Sequence, residues 1–246
     1  MDIGWCEGKT ETYAARSCQV RATQAGSGLA RTATLTQTEG SVVTGGNSPY
    51  YQWGRKDPLQ ASKGKGNTQF KIYYPSSSAY APAIVLGPVS IGAAIRSPYT
   101  FYKNTSSPYD WCSTTYHNHW SSTINGTGTG QNANSKTKTV YDPSPVGFRV
   151  PAPDAWDGFD TFNFTWGAVG GDNGRTYGPS GLFFPASGTR GSSSGGLLSV
   201  GGRGDRWSSS PSSASYGYSL GFNSGSVTMV SYFNRANGFP VRCVKE

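Results

Sequence analysis

From Phe183 to Glu246, apolar and polar residues alternate along the chain, as is typical of strands that bury one face. The apolar and turn positions are expected to build a core, and they are Phe184, Pro185, Leu197, Val200, Trp207, Leu220, Phe222, Val227, Phe239, Val241 and Val244. The positions between them hold mostly Ser, Gly, Tyr, Arg, Asp and Asn. Tyr offers rigid contact area and Ser, Gly and Asn offer adaptable hydrogen bonds, as in antibody paratopes. This stretch therefore predicts a strand framework that carries a recognition surface.

Alternation also appears nearer the N-terminus, in residues 11–23 and 30–38, and the turn 26–28 between them predicts a hairpin. Residues 50–58 combine three aromatic residues with a charged triplet and predict a core-anchored strand or a short helix. Residues 58–145 are polar, with short apolar islands, and predict long loops over a small sheet.

One segment before the alternating tail gives a helical signal. Residues 146–150 (VGFRV) lie between prolines and predict a strand. Ala152 to Phe159 predict one short helix, because Trp156 and Phe159 have helical spacing and would both face inward. Residues 160–182 predict further strands and loops.

Composition and charge narrow the class of protein. With 34 Gly and 15 Pro but only 14% charged residues, the chain favours short strands and turns over helix bundles. Its 246 residues fit one large domain, or one domain with a smaller appendage. The net charge of +8 comes from scattered Lys and Arg residues, without an RNP motif or zinc-finger spacing. We therefore expect no nucleic-acid partner.

The four cysteines, Cys6, Cys18, Cys112 and Cys243, form no CxxC pair, so the sequence indicates neither a redox motif nor structural zinc. Cys6 and Cys18 are candidates for a disulfide, and buried thiols at all four positions are an equal alternative. For Cys243, whose neighbours follow a core-like pattern, the sequence favours an inert buried thiol. The chain shows no signal peptide or long apolar run, so we expect no membrane insertion by it.

Several C-terminal segments carry a resemblance to a known family, and they are PVGFRVPAPDAW, FFPASGTR, GDRWSSSP, YSLGF and NRANGFPVRCV. They resemble the C-terminal domains of Bacteroides-type surface proteins and, more specifically, the variable proteins of diversity-generating retroelements. The resemblance covers roughly residues 50–246 and is strongest from residue 141 onward. It implies an α+β, β-rich, C-type lectin-like fold with long loops and one or two short helices.

The resemblance also implies a domain organisation. Residues 1–46 resemble a hairpin remnant of an Ig-like or fimbrillin-like module, and residues 47–246 resemble the ligand-binding domain, with a diversified region at about 189–234. In that family, adenine-directed mutagenic reverse transcription exchanges template Asn codons for a restricted set that excludes Lys, Glu and Trp. Between Arg203 and Asn234 the chain contains no Lys, Glu or Gln. The implied exchanged positions, called the candidate positions below, are Gly191, Ser193, Gly202, Arg203, Asp205, Arg206, Ser212, Ser215, Tyr216, Ser219, Gly221, Ser226, Ser231, Tyr232, Phe233 and Asn234.

The function implied by the resemblance is non-catalytic ligand binding by a receptor or adhesin. An exposed C-terminal face would bind a protein or glycan, on a cell surface, outside the cell or on a phage particle, without a metal or cofactor. Its expected anchors are Tyr216, Tyr232, Phe233, Arg203 and Arg206. A first alternative is a structural or adhesive tip domain of a surface appendage, in which the same face packs against a subunit.

A second alternative is an oxidase like the formylglycine-generating enzymes, which have a related fold and also end in an Arg-Cys segment such as Arg242-Cys243. That chemistry needs a close pair of reactive cysteines, and the segment before Arg242 offers only the distant Cys112. No Ser/His/Asp set or phosphate-binding loop occurs elsewhere in the sequence. We therefore expect the protein not to be an enzyme.

Some local features that could indicate a specific binding site have simpler explanations. Arg203-Gly204-Asp205 matches the tripeptide that integrins bind, and we interpret it as a chance match. Residues 117–119 (His-Asn-His) would bind a metal only if a loop brought Asp110 or Cys112 to them, so we expect no metal site. The EPN, QPD and WND tripeptides of calcium-dependent lectins do not occur. Arg206 is expected either to contact a ligand or to stack on Trp207.

Overall fold

The computed structural model describes residues 12–13, 16–23, 30–37, 40–41, 49–59, 83–124, 126–127, 137–169, 171–178 and 180–246. The chain divides into two compact units. The small unit is Gly8–Thr44, and the large unit contains Gly45–Glu246.

Four strands are described in the small unit, namely β1 (Thr12–Tyr13), β2 (Arg16–Thr23), β3 (Ala30–Gln37) and β4 (Gly40–Ser41). Strands β2 and β3 pair antiparallel, with Thr23 opposite Ala30 at one end and Arg16 opposite Gln37 at the other. Strand β1 pairs with β4. The predicted hairpin is confirmed, whereas its turn at 26–28 lies outside the described residues.

The large unit is built from short strands. Its elements are β5 (Tyr51–Gln52), β6 (Ala83–Leu86), α1 (Ile91–Arg96), β7 (Thr100–Lys103), β8 (Phe148–Arg149), a 3₁₀ helix (Pro153–Trp156), β9 (Phe164–Val169), β10 (Asp172–Tyr177), β11 (Leu182–Pro185), β12 (Thr189–Arg190), β13 (Leu197–Leu198), β14 (Arg203–Pro211), β15 (Tyr216–Asn223), β16 (Val227–Asn234), β17 (Gly238–Phe239) and β18 (Val244–Lys245). The sheets have the orders β14-β15-β16, β11-β10-β9, β13-β12-β17-β5, β18-β8 and β6-β7. This confirms a β-rich fold with several small sheets, and the C-type lectin-like fold stays a prediction.

The sheet β14-β15-β16 contains most of the candidate positions, and polar residues shape both of its turns. At the first turn, Ser213 Oγ accepts hydrogen bonds from the backbone N–H groups of Ser215 and Tyr216. At the second, Asn223 Oδ1 accepts from the N–H groups of Gly225 and Ser226. Such local side-chain to backbone bonds favour turns over continued strands. They set the two reversals that make β14, β15 and β16 an antiparallel meander.

Aromatic clusters pack on both faces of this sheet. On one face Leu220 and Phe222 join a cluster with Trp156, Phe159, Phe164 and Phe184. On the other, Trp207 packs with Tyr51, Trp53, Trp120, Val150, Phe239 and Val241. The predicted burial of Trp207, Leu220, Phe222, Phe239 and Val241 is confirmed, while Val227 is only partly buried. Because clusters pack on both faces, the polar candidate residues as well as the apolar residues of these strands can be buried.

The helices differ from the sequence expectation. Residues 152–159 form a single 3₁₀ turn, Pro153–Trp156, although Trp156 and Phe159 are buried as predicted. Helix α1, which the sequence analysis did not predict, begins after Ser90, whose hydroxyl accepts a hydrogen bond from the Ala93 N–H at 3.2 Å. A helix of six residues is too short to display hydrophobic periodicity, so only its cap marks it.

Candidate ligand-binding surface

The strand register divides the candidate positions between two faces of the sheet, whereas the sequence analysis expected one. Side chains alternate along a strand, and directly paired residues share a face. Pairs such as Asp205 with Gly221 and Ser219 with Ser231 therefore define one face. This Arg203 face contains Arg203, Asp205, Ser219, Gly221, Ser231 and Phe233. The opposite Tyr216 face contains Tyr216, Tyr232, Asn234 and Arg206.

The Arg203 face is a compact set of mutual contacts. The Arg203 guanidinium binds the Asp205 carboxylate through two hydrogen bonds, Nε to Oδ2 at 2.8 Å and Nη2 to Oδ1 at 2.9 Å. It also lies 4.9 Å from the centre of the Phe233 ring, which itself packs against Phe239. Burial raises the pKa of Asp205, although Arg203 opposes this. Here the candidate side chains bind one another.

Burial corrects the expected exposure of several candidate positions, because Gly191, Asp205, Arg206, Ser219 and Gly221 are buried. The Arg206 guanidinium donates to the carbonyl oxygens of Asp205, at 2.8 Å, and of Pro185, at 2.7 Å. It packs over Phe222 instead of Trp207. Arg206 is therefore part of the framework, and the expectation that it anchors a ligand on an exposed surface is wrong.

The remaining candidate positions reach the surface to different degrees. Ser193, Gly202, Ser226 and Tyr232 are exposed. The partly buried positions are Arg203, Ser212, Ser215, Tyr216, Ser231, Phe233 and Asn234. In the Arg203-Gly204-Asp205 tripeptide, the Asp205 carboxylate is buried and paired with Arg203, so it is not presented to solvent.

Three tyrosine rings lie close together at the Tyr216 face. The rings of Tyr216 and Tyr232 meet edge to face at 5.6 Å, and the Tyr109 ring is nearly parallel to that of Tyr216 at 6.5 Å. Tyr232 is 59% exposed. We call these residues the tyrosine strip. Tyr109 comes from a loop that the sequence analysis treated only as an apolar island, and no sequence signal links it to β15.

Arg235 joins the Tyr109 loop to the first turn of the sheet. Its guanidinium donates to the carbonyl oxygens of Tyr116 at 2.7 Å and Ser213 at 2.5 Å, and lies 3.3 Å from Asp110 Oδ2. It also lies 4.3 Å from the Trp53 ring centre. Burial raises the pKa of Asp110 to about 6 even though Arg235 lowers it. This arginine therefore fixes two backbone segments of the candidate surface at once.

The two histidines lie beside this arginine. His117 Nδ1 is 3.2 Å from Arg235 Nη2, and His119 is buried with its ring against Trp53 and Trp111. Burial, and next the charge of Arg235, lower the pKa of His119 to about 4. Within the part of the chain that the structure describes, no three His, Cys, Asp or Glu residues are grouped to hold a metal ion. A neighbouring cation also disfavours metal binding at His117.

Cys243 forms a disulfide, which corrects the expectation of a buried thiol. The predicted pairing of Cys6 with Cys18 rests on Cys6, which lies outside the described residues. Cys112 is free and buried, and burial raises the pKa of its thiol. The oxidase alternative requires a reactive thiol at Cys243, and in the structure this sulfur is held in a disulfide.

Side chains outside the candidate positions hold the sheet backbone. Arg175 Nε donates to the Asn223 carbonyl at 2.9 Å, and its Nη2 donates to the Ser224 carbonyl at 3.2 Å. The Trp53 indole donates to the Ser208 carbonyl at 3.0 Å. Because these bonds reach backbone atoms, they do not depend on the side chains at the candidate positions.

Glycines at candidate positions have space for a side chain. A Cβ on Gly202 would meet no heavy atom closer than 3.6 Å. On Gly221 it would lie 3.1 Å from Asp205 Oδ1, and on Gly191 it would lie 3.0 Å from the end of Leu198. The nearest atoms belong to side chains or, for Gly202, lie at ordinary contact distance. Gly202 therefore accepts a Cβ as it stands, whereas Gly191 and Gly221 accept one only if the neighbouring side chain shifts by a few tenths of an ångström.

Two glycines within β14 and β15 that are not candidate positions, Gly204 and Gly217, do not have this space. A Cβ on Gly204 would lie 2.1 Å from the Phe222 ring, and one on Gly217 would lie 2.4 Å from Trp53. Both rings are buried in aromatic clusters, so neither can move aside without opening the core. Gly204 lies between two candidate positions, and its packing requires glycine.

Among the described residues no helix has the length and apolar character to span a membrane. No protein-family model, curated protein or solved structure matches the chain.

Proposed function

We propose that this protein is a non-catalytic, ligand-binding variable protein of the receptor or adhesin type, with a C-type lectin-like fold. Its exposed candidate positions around β14, β15 and β16 bind a protein or a glycan. The buried candidate positions, such as Asp205 and Ser219, shape the surface from beneath.

The contrast between the two sets of glycines carries this proposal. Positions implied to be exchanged, Gly191, Gly202 and Gly221, have room for a side chain or need only a side-chain adjustment. Gly204 and Gly217, which are not among the candidate positions, have none. A diversified surface requires this difference, because exchanged positions must accept side chains while close-packed glycines must stay glycine.

The side chains of the candidate surface, and the bonds that hold the backbone beneath it, also support ligand binding by a variable surface. Exposed Tyr, Ser and Asn side chains bind diverse partners with little entropic cost. The backbone beneath is held by Arg175, Trp53 and Arg235, which lie outside the candidate set. A surface supported in this way can change its side chains without unfolding the domain.

The disulfide at Cys243 supports a location outside the reducing cytoplasm. We therefore propose a location at a cell surface, outside the cell or on a phage particle.

A binding screen against glycans and surface proteins tests the proposal, with two variants beside the wild type. The first changes Ser212, Ser215, Tyr216, Ser231 and Tyr232 together to Ala. The matched control changes the exposed apolar residues Val140, Val146 and Phe162 to Ala. We expect the first variant to lose binding while its Tm falls by less than about 4 °C, and the control to keep binding.

If the first variant binds as the wild type does, the candidate surface is not the binding site. Sequencing of sibling loci gives a second test. Differences confined to the candidate positions support diversification, whereas an even spread supports the tip-domain alternative.

A further inference from the structure

The tyrosine strip is formed by two separate parts of the chain. Tyr216 and Tyr232 belong to β15 and β16, and Tyr109 belongs to the loop after β7. The ring centres of Tyr109 and Tyr232 lie 6.5 Å and 5.6 Å from that of Tyr216, and Tyr109 is outside the diversified region. The surface therefore has a constant end and an exchangeable end.

Tyr109, at the constant end, has a strained backbone conformation. Tyr109 has a φ of 56°, a left-handed backbone that bulky residues rarely adopt. Its N–H donates to the Ser106 carbonyl at 2.7 Å, and its own carbonyl accepts from the Ala236 N–H at 3.1 Å. The Asn104 side chain fixes the next residue by donating to the Asp110 carbonyl at 2.8 Å. Backbone strain that is maintained by so many bonds is typical of functional sites.

The side chains of the strip, and those of Asn234, Ser212 and Ser215 beside it, carry no formal charge, and the adjacent Arg235 and Asp110 are buried and paired with each other. Asn234 pairs with Tyr216 across the strands, and its amide lies 3.3 Å from the Ser192 hydroxyl. Ser212 and Ser215 lie in the turn that leads into Tyr216, and both are partly exposed. The surface therefore combines aromatic rings with neutral hydrogen-bonding groups.

We propose that the tyrosine strip binds a neutral glycan, and that Tyr109 is a ligand-contacting residue outside the diversified region. This inference rests on the proposed function and names the ligand class for the same surface. The C–H face of a sugar ring packs on an aromatic ring, and its hydroxyl groups bond to phenol, hydroxyl and amide groups. Tyr109 supplies a preformed stacking position, while exchange at positions 216 and 232 selects among sugars.

The geometry of β16 argues against a peptide that would bind by adding a strand. Strand β16 is the edge of its sheet, but a register shift interrupts its pairing between Ser219 and Gly221 of β15. Such bulges disfavour addition of another strand to an edge. A peptide would then lack the backbone pairing that gives this mode its affinity.

An array of neutral hexose and N-acetylhexosamine oligosaccharides, together with sialylated counterparts, tests the inference. Titration calorimetry with the best neutral oligosaccharide then compares the wild type with Tyr109→Ala, Tyr232→Ala and the control Phe162→Ala. Phe162 is 91% exposed, so its truncation matches the loss of a surface ring. We expect Tyr109→Ala and Tyr232→Ala each to weaken binding about tenfold or more, and Phe162→Ala to leave it unchanged. Because the ligand is neutral, affinity should be the same at low and high salt.

The remaining outcomes separate the inference from the proposed function. Binding of a defined surface protein that depends on Tyr232, without neutral oligosaccharide binding, overturns the glycan class and leaves the proposed function intact. Binding confined to sialylated oligosaccharides, or lost at high salt, also overturns it. Glycan binding that is unchanged in Tyr109→Ala removes the role of Tyr109. Failure of any ligand to depend on the candidate positions overturns both proposals.

Discussion

The two faces of β14-β15-β16 place several of their candidate residues in different environments. On the Arg203 face, Asp205 and Ser219 are buried and Arg203 is paired with Asp205 beside Phe233. On the Tyr216 face, Tyr232 is 59% exposed and its hydroxyl-bearing ring lies at the surface. The difference shows that residue type alone does not identify a recognition surface. Strand position decides, because β14 and β15 are buried along most of their length and β16 is not.

The two faces differ in how strongly a change at one position affects the neighbouring positions. On the Arg203 face, a change at one position alters the environment of the others, since a Cβ at Gly221 would approach both Asp205 and Arg203 within 3.3 Å. On the Tyr216 face, an exposed side chain such as Tyr232 can change with less effect on its neighbours. We therefore expect coupled variation on the first face and more independent variation on the second.

The largest expected effect separates the core from both faces. Trp207 is fully buried, and its indole donates to the Tyr51 carbonyl at 2.8 Å. Trp207→Ala should lower the free energy of unfolding by about 3–5 kcal/mol, because it removes a buried aromatic side chain. Tyr232→Ala should cost less than about 1 kcal/mol. Urea denaturation measures both, and equal losses would show that Tyr232 is also part of the core.

Sequence alone predicted the parts of the fold that depend on local pattern. The β2-β3 hairpin and the burial of Trp207 and Leu220 followed from alternation with a period of two. Burial of Arg206 could not be predicted, because its partner is the Pro185 carbonyl on another strand. The contact of Tyr109 with the sheet likewise depends on tertiary packing.

Acidification provides a test of the support beneath the Tyr216 face. The pKa of His119 is lowered to about 4 by burial and by Arg235, the residue that fixes the Tyr109 loop. Stability gained by keeping His119 neutral is present above its unfolded pKa of about 6.5 and is lost as pH falls through about 4. This term should lower the free energy of unfolding by about 3 kcal/mol between pH 7 and pH 4.

His119→Phe isolates this effect, because the variant keeps a ring but cannot be protonated. Asp110 acts in the opposite direction: its pKa is raised to about 6, so protonation below that pH relieves a buried charge. Denaturation of both proteins at a series of pH values therefore gives the His119 contribution as a difference. Parallel pH profiles for the wild type and His119→Phe would contradict the assignment.

Two glycines near the start of β14 compare a fixed position with a candidate position. Gly204→Ala should destabilise the protein by about 1–3 kcal/mol, since its Cβ would overlap the Phe222 ring. Gly202→Ala should change stability by less than about 0.5 kcal/mol, because the site is open. Thermal or urea denaturation of the two variants measures the contrast. Equal losses of stability in the two variants would show that candidate and non-candidate glycines do not differ in the space around them, which would contradict the proposed diversification.

The smallest expected effect compares two candidate residues that contact each other with two that lie near opposite ends of β16. Arg203→Ala leaves the buried Asp205 carboxylate without its cation, so it should cost more in the wild type than when Asp205 is already Ala. The double-mutant cycle should therefore give a coupling of about 1 kcal/mol. Tyr232→Ala and Ser226→Ala lie near opposite ends of β16 and should add within about 0.5 kcal/mol. Additivity in both cycles would mean that Arg203 and Asp205 are independent surface residues, and the Arg203 face would then be as free to vary as the Tyr216 face.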